Sequence, residues 1–238
     1  MTHWLRLFCG LIVSAILATL VVGTGTASAA GAAQASIPAA VPAGNTPHVL
    51  DNKVVDLAEV GNRIVVAGSF TSVRDAQANG GADFAQAYVF SFDPATGAID
   101  RAFAPQLNGV VNTVLAGPDN TVYLGGMFSS LNGASSRTVI QVSLATGART
   151  AFRAPNVNGT VNDLVLAGSR LILAGNFTAI GGVAHGGLGS LDATTGALDE
   201  YMGIDVTENH NYPRGKARSA VGVERIDITP DGSRLVAI

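Results

Sequence analysis

The sequence predicts an all-β fold: a β-propeller of four-stranded blades in repeats of about 50 residues, three blades and half of a fourth being present. Three observations carry this reading. The stretch ILAGNFTAIGG (172–182) is almost restated as YLGGMFSSLNG (123–133) and as VVAGSFTSV (65–73). The second half of each unit recurs too: SFDPATGAIDRAFAPQLNG (91–109), VSLATGARTAFRAPNVNG (142–159) and SLDATTGALDEYM (190–202). Within a unit, four short runs rich in Val, Ile, Leu and Phe alternate with Gly, Asn and Asp, the pattern of an antiparallel meander. No run keeps a 3.6-residue period over helical length, which excludes a helical solenoid.

Residues 1–29 stand outside the repeat. A short polar lead with His3 and Arg6 precedes an apolar run, Leu7 to Val22, and then GTGTASAA. Ala27-Ser28-Ala29 has the small-x-small form of a signal-peptidase site, so cleavage is expected between Ala29 and Ala30. The alternative, an uncleaved anchor, asks the run to span a bilayer, for which about 20 residues are needed. Cleavage would leave 238 − 29 = 209 residues. It also removes the lone cysteine, Cys9, so packing and strand pairing must hold the fold without disulfides. With Arg6 gone, 13 basic side chains face 17 acidic ones, a net charge of −4. No basic stripe remains, which argues against nucleic acid or an anionic membrane surface as partner. Residues 30–48 are low in complexity and carry three prolines, and they read as a flexible linker.

The partial propeller is expected over 49–238, with blades at about 54–109, 110–159 and 160–202 and a partial one at 220–238. Asn112 to Asn162 is 50 residues and Gly147 to Gly196 is 49; the first unit is longer because RDAQANGGADFAQ (74–86) interrupts it. The second strand of each unit, as in Leu171-Ile172-Leu173-Ala174, is apolar at consecutive positions because neighbouring blades cover both of its faces. Gly68, Gly126 and Gly175 would permit close backbone approach or a bulge. Phe70, Phe128 and Phe177, two residues later, would wedge between blades. Thr96-Gly97, Thr146-Gly147 and Thr195-Gly196 place glycine where a hairpin needs positive φ. Asp93 and Asp192, and more weakly Ser143, are expected to bond the turn amides.

This order of elements, an apolar strand, G-x-F, a strand into D-x-x-T-G, then F-x-A-P and V-N, resembles the delta-60 repeat family of β-propellers, in its secreted actinobacterial form. The resemblance covers 54–202 as three units, and ERIDITPDGSRLVAI (224–238) is similar to the first half of a fourth, Pro230-Asp231-Gly232 aligning with Pro118-Asp119-Asn120. It implies a propeller fold and an extracellular, cell-surface setting; it implies no activity. The sequence departs from the pattern at EYM (200–202) and in the stretch 203–219. Because rings typically need four to eight blades, the chain is expected to be completed by missing blades or appended domains, or by a second chain.

Catalytic signatures do not occur: no H-E-x-x-H, G-x-S-x-G, P-loop or D-x-D-x-D-G. His48, His185 and His210 never reach metal-ligand spacing, and only four glutamates are present, so no paired carboxylates are indicated. Two features carry the binding candidates. A polar residue opens each unit's first strand: Asp56, Asn112, Asn162 and Glu224. These could line a central channel and hold a cation or ligand, or each could cap neighbouring backbone. The loop with His210, Tyr212, Arg214 and Lys216 gathers donors and an aromatic, and its plainer reading is a solvated connector. The function expected is a secreted, non-enzymatic scaffold, without cofactor, that binds extracellular carbohydrate or protein. The rival readings are the propeller part of a secreted hydrolase, lyase or oxidase with its active site in the missing blades, or a truncated product with no function of its own.

Overall fold

A strand that is apolar on both faces must be covered on both, and this requirement organises the chain. The computed structural model describes residues 44–204, 206 and 222–238. The expected signal segment with Ala29 and Ala30, most of the linker, and His210, Tyr212, Arg214 and Lys216 lie outside the described residues. The first unit comprises His48–Val49 (β1), Val54–Val60 (β2), Arg63–Gly68 (β3), Ser72–Arg74 (β4), Asp83–Ala85 (β5) and Val89–Phe92 (β6). The second comprises Val110–Ala116 (β7), Thr121–Met127 (β8), Ser130–Leu131 (β9), Ala134–Ser135 (β10) and Val139–Ser143 (β11). The third comprises Thr160–Ala167 (β12), Arg170–Asn176 (β13), Ala179–Ile180 (β14), Val183–Ala184 (β15), Leu188–Asp192 (β16) and Leu198–Asp199 (β17). Ile226–Ile228 (β18) and Leu235–Ala237 (β19) form the two-stranded sheet of the fourth unit.

The described residues are therefore all-β, apart from one 3-10 turn at Gln77–Asn79. They form separate antiparallel sheets of two to four strands, and no sheet closes on itself. Four strands per unit were expected, and the third unit has them, in the order β12-β13-β16-β17. In the first two units the fourth segment makes a single bridge, Phe92 to Ile99 and Val142 to Arg149, before the chain leaves for the next unit. The cores lie between consecutive units. Val65, Ala67 and Val89 of the first unit pack with Leu124, Phe128 and Ile140 of the second, and Tyr123 and Val139 of the second pack with Leu173, Phe177 and Leu191 of the third. Phe128 and Phe177 thus lie in inter-unit clusters, whereas Phe70 packs on its own unit, edge-on to Phe90 at 5.5 Å.

Two features lay hidden in the sequence. Residues after each G-x-F form a small hairpin, β9-β10 or β14-β15, whose two-residue turns Asn132-Gly133 and Gly181-Gly182 hold φ of 52° and 78°, and 61° and 84°. Such left-handed pairs suit the twist of a tight hairpin. The 74–86 insertion lengthens the tip of the equivalent hairpin, β4-β5. The linker also ends earlier than expected, because His48 and Val49 pair with Arg74 and Val73. Thr46-Pro47 occupies the place that Ala104-Pro105 and Ala154-Pro155 take in later units. The turn glycines show it: a Cβ on Gly97, Gly147 or Gly196 would meet Asn45 O at 1.6 Å, Pro105 N at 2.7 Å or Arg153 C at 2.6 Å. Each connector therefore lies against the T-G turn of the unit it introduces, and only glycine leaves room for it.

Candidate functional site

The inner strands and their polar residues come first. In each unit the glycine of the second strand pairs with a valine, Gly68 with Val54, Gly126 with Val111 and Gly175 with Val161, and the register then slips by one residue. This is a β-bulge, in which one residue of the strand is left over. The residues left over are Val55, Asn112 and Asn162, so Asp56 stands in register with Thr113 and Asp163, one place from where the repeat alone puts it. The four candidate residues consequently divide into two positions, with Asn112, Asn162 and Glu224 at one and Asp56 at the other.

Both positions reach sideways to the next unit's first strand. Asp56 accepts the Leu57 amide on Oδ1 at 2.9 Å and the Val114 amide on Oδ2 at 2.8 Å. Asp163 repeats this, accepting the amides of Leu164 and Ile226, each at 2.9 Å. Asn112 donates to the Val161 carbonyl at 3.0 Å and Asn162 to the Val223 carbonyl at 3.1 Å. Glu224 is exposed. One carboxylate thus clamps an amide from each of two consecutive units, holding the first strands side by side. Among the described residues no group of three or more His, Cys, Asp and Glu side chains is placed to hold a metal ion.

A second repeated clip lies where each connector meets its hairpin. Asp51, Asn108 and Asn158 accept paired backbone amides, from Thr71 and Ser72, Ser129 and Ser130, and Thr178 and Ala179, at 2.8 to 3.0 Å. Hairpin turns use aspartate in the same way: Asp93 accepts from Ala95 and Thr96, Asp192 from Thr194 and Thr195. Ser143 contributes its backbone carbonyl, to Gly147 at 2.8 Å.

These bonds favour the ionised form. The Thr71 hydroxyl and amide hold Asp51 below the usual carboxylate range, the Thr96 and Ala95 amides do so for Asp93, and the Thr195 amide and hydroxyl for Asp192. The Thr229 hydroxyl, with Ser233, lowers Asp231 to about 2. A carboxyl whose folded pKa lies below its unfolded value of about 3.9 stabilises the fold fully above that value. Its contribution is lost as pH falls through the folded value. The melting temperature is therefore expected to hold from pH 7 to 5 and to fall between about pH 4 and 2, more gently in Asp192→Asn. A melting temperature independent of pH over that range would refute the assignment.

Among the described residues, clefts lie at both ends of the strands. The smaller, about 210 Å³, is lined by Asn108, Met127, Phe128, Ser129 and Thr138. The larger, about 490 Å³, lies between the β12-β13 turn and the β18-β19 turn, with Leu166, Ala167, Gly168, Arg170, Tyr201 and Asp231 among its walls. Its chemistry is mixed. Tyr201 is 60% exposed, and the Arg170 guanidinium sits over its ring, 4.5 Å from the centroid. Arg170 Nε is held by Asp199 at 2.7 Å, whose second oxygen accepts from Ser190 and from the Tyr201 amide. Tyr201 belongs to EYM (200–202), where the third unit departs from the AFAP (102–105) and AFRAP (151–155) of the other two; that departure is the signal in the sequence for this site.

No family model matches the chain, and no curated protein matches it. Among solved structures, the computationally designed Ika4 protein is 17% identical over 79% of this chain and 92% of its own, with a TM-score of 0.42. The computationally designed Ika8 protein is 15% identical over 77% of this chain, with a TM-score of 0.41, and this chain spans 42% of its length. No helix among the described residues is long and apolar enough to cross a membrane.

Proposed function

We propose that the chain is part of a secreted, non-enzymatic β-propeller of the delta-60 repeat type, a rigid scaffold that binds extracellular carbohydrate or protein. The cleft at Tyr201 carries the binding half of this reading. An exposed aromatic ring, braced by a guanidinium that an aspartate fixes in turn, offers a flat apolar face with polar groups at its border. Sugar rings and extended peptides both use such a surface, and it sits between sheets held in fixed order by the clamps of Asp56 and Asp163. The propeller half is supported by the order of packing, each unit's first strand lying beside the next unit's first strand, as radial stacking requires.

Immobilised polysaccharides and glycoproteins provide the test. Tyr201→Ala is expected to weaken retention at least tenfold with an unchanged melting temperature, since the ring is mostly exposed. Equal retention by the variant, or none by the native chain, would sink the reading; turnover of a retained polysaccharide would favour the enzyme alternative.

A further inference from the structure

Charge is spread unevenly over the units. Residues 120–162 hold three arginines, Arg137, Arg149 and Arg153, and no aspartate or glutamate, although the whole chain carries 17 acidic side chains against 14 basic ones. Strand pairing shows which carboxylates the second unit lacks. Arg170 stands opposite Asp192 and Thr121 opposite Ser143, so Ser143 takes the place of the turn aspartate. Asp199 pairs with Ser190, and the Thr150 amide donates to Gln141 as that of Asp100 does to Ser91, so Thr150 takes the place of a second aspartate. In the first and third units that aspartate holds an arginine of the second strand, Asp100 with Arg63 at 3.5 Å and Asp199 with Arg170 at 2.7 Å. The second unit has threonine at both ends of the pair, Thr121 and Thr150.

Its arginines stand elsewhere. Arg149 bridges Val142 as Ile99 bridges Phe92 and as Leu198 pairs with Leu191. A half-buried arginine thus occupies a position that the other units fill with a packed aliphatic side chain. Arg149 Nη2 donates to the Ser135 carbonyl at 3.4 Å. Arg153 Nη1 donates to the Thr150 and Phe152 carbonyls at 2.5 and 2.7 Å, which fixes that side chain over its own turn. Among the described residues neither guanidinium has a carboxylate within ion-pair distance. Burial, and then the Arg153 charge, push the Arg149 guanidinium below its usual range. Desolvating a cation beside a like charge is costly unless an anion completes the group. Between residues 128 and 182 no large apolar side chain is exposed, so this surface lacks the anchor that a protein partner uses. The chain's net charge of −3 repels dense polyanions at long range. We propose that Arg149 and Arg153 form an anion site for the carboxylate of a uronic acid in an extracellular polysaccharide. The planar guanidinium matches a planar carboxylate through paired hydrogen bonds. This is a second site, on the second unit, and it needs nothing from the cleft at Tyr201.

Immobilised polygalacturonate tests this, with its methyl ester as the uncharged control. The native chain is expected to be retained on the acid form, to be released as salt screens the pair, and to pass through the ester. Arg153→Ala should weaken retention about tenfold, as expected when one charged hydrogen-bonding partner is removed. Arg149→Leu restores the aliphatic residue of the other units, so it should weaken retention at least as much while raising the melting temperature. A lower melting temperature in Arg149→Leu would show that the arginine holds the fold, and would overturn the proposal. Tyr201→Ala should leave retention on the acid form unchanged, which separates this inference from the reading of the cleft; its loss would move the anion to that cleft. No retention on the acid form, equal retention on the ester, indifference to both arginine substitutions, or preference for immobilised polyglutamate would each overturn it as well.

Discussion

Gly175→Ala is expected to destabilise the chain by about 3 kcal/mol or more, an unusually large effect for one methyl group. A Cβ there would lie 2.1 Å from the Thr160 carbonyl oxygen and 3.0 Å from Val161 Cα. These are backbone atoms of the paired strand, at the bulge, and they cannot rotate away as a side chain would. Relief requires parting β12 from β13, which breaks the register that places Asp163 against Ile226. Gly126 and Gly68 would meet Val110 O and Lys53 O at 2.2 Å each, so the same substitution should have a similar effect in the other units. Gly133→Ala is the control: nothing lies within 4 Å of its Cβ, but φ is +78°, so only the left-handed penalty of about 1–2 kcal/mol applies. Urea unfolding followed by circular dichroism ranks the two. An equal loss at both positions would mean that backbone strain, not close approach, governs Gly175.

Phe152→Ala should cost about 3–5 kcal/mol, the range for emptying a buried aromatic site. Phe152 is 2% exposed and meets Tyr123 edge-on, ring centroids 5.4 Å apart at 74°. Tyr123 in turn donates its hydroxyl to the Ala193 carbonyl of the third unit. The pair therefore joins the second strand of one unit, the connector and the turn that follows β16 in the next. A double-mutant cycle with Tyr123→Leu is expected to return a coupling of about 0.5–1.5 kcal/mol. A loss below about 1 kcal/mol for Phe152→Ala would show that the site collapses freely around the void. The inter-unit core would then be looser than its burial indicates.

Much of this architecture was legible without coordinates because it is encoded locally. Apolar runs of strand length, separated by Gly, Asn and Asp, specify strands and turns residue by residue. Glycine marks both recurrent positions because close approach and positive φ each exclude a Cβ. The spacing of Asp93 and Asp192 to Thr-Gly makes them legible as turn caps. Asn132-Gly133 announces one of the small hairpins, but its two-residue strands are too short to carry a pattern of their own.

What the sequence determined by itself was the repeat, the all-β class, and the identity of the residues that turn, cap and pack. Tertiary structure alone decided which residue meets which. A bulge shifts pairing by one position, and the shift depends on hydrogen bonds to a partner strand rather than on the strand's own pattern. So Asp56, aligned by repeat with Asn112 and Asn162, stands instead with Thr113 and Asp163, and its carboxylate holds the next unit's amide. In the same way Tyr201, a lapse in the repeat when read along the chain, becomes the exposed wall of a cleft once β18 and β19 fold beside it. Local pattern fixes what each side chain can do, and packing between units supplies the neighbours on which it acts.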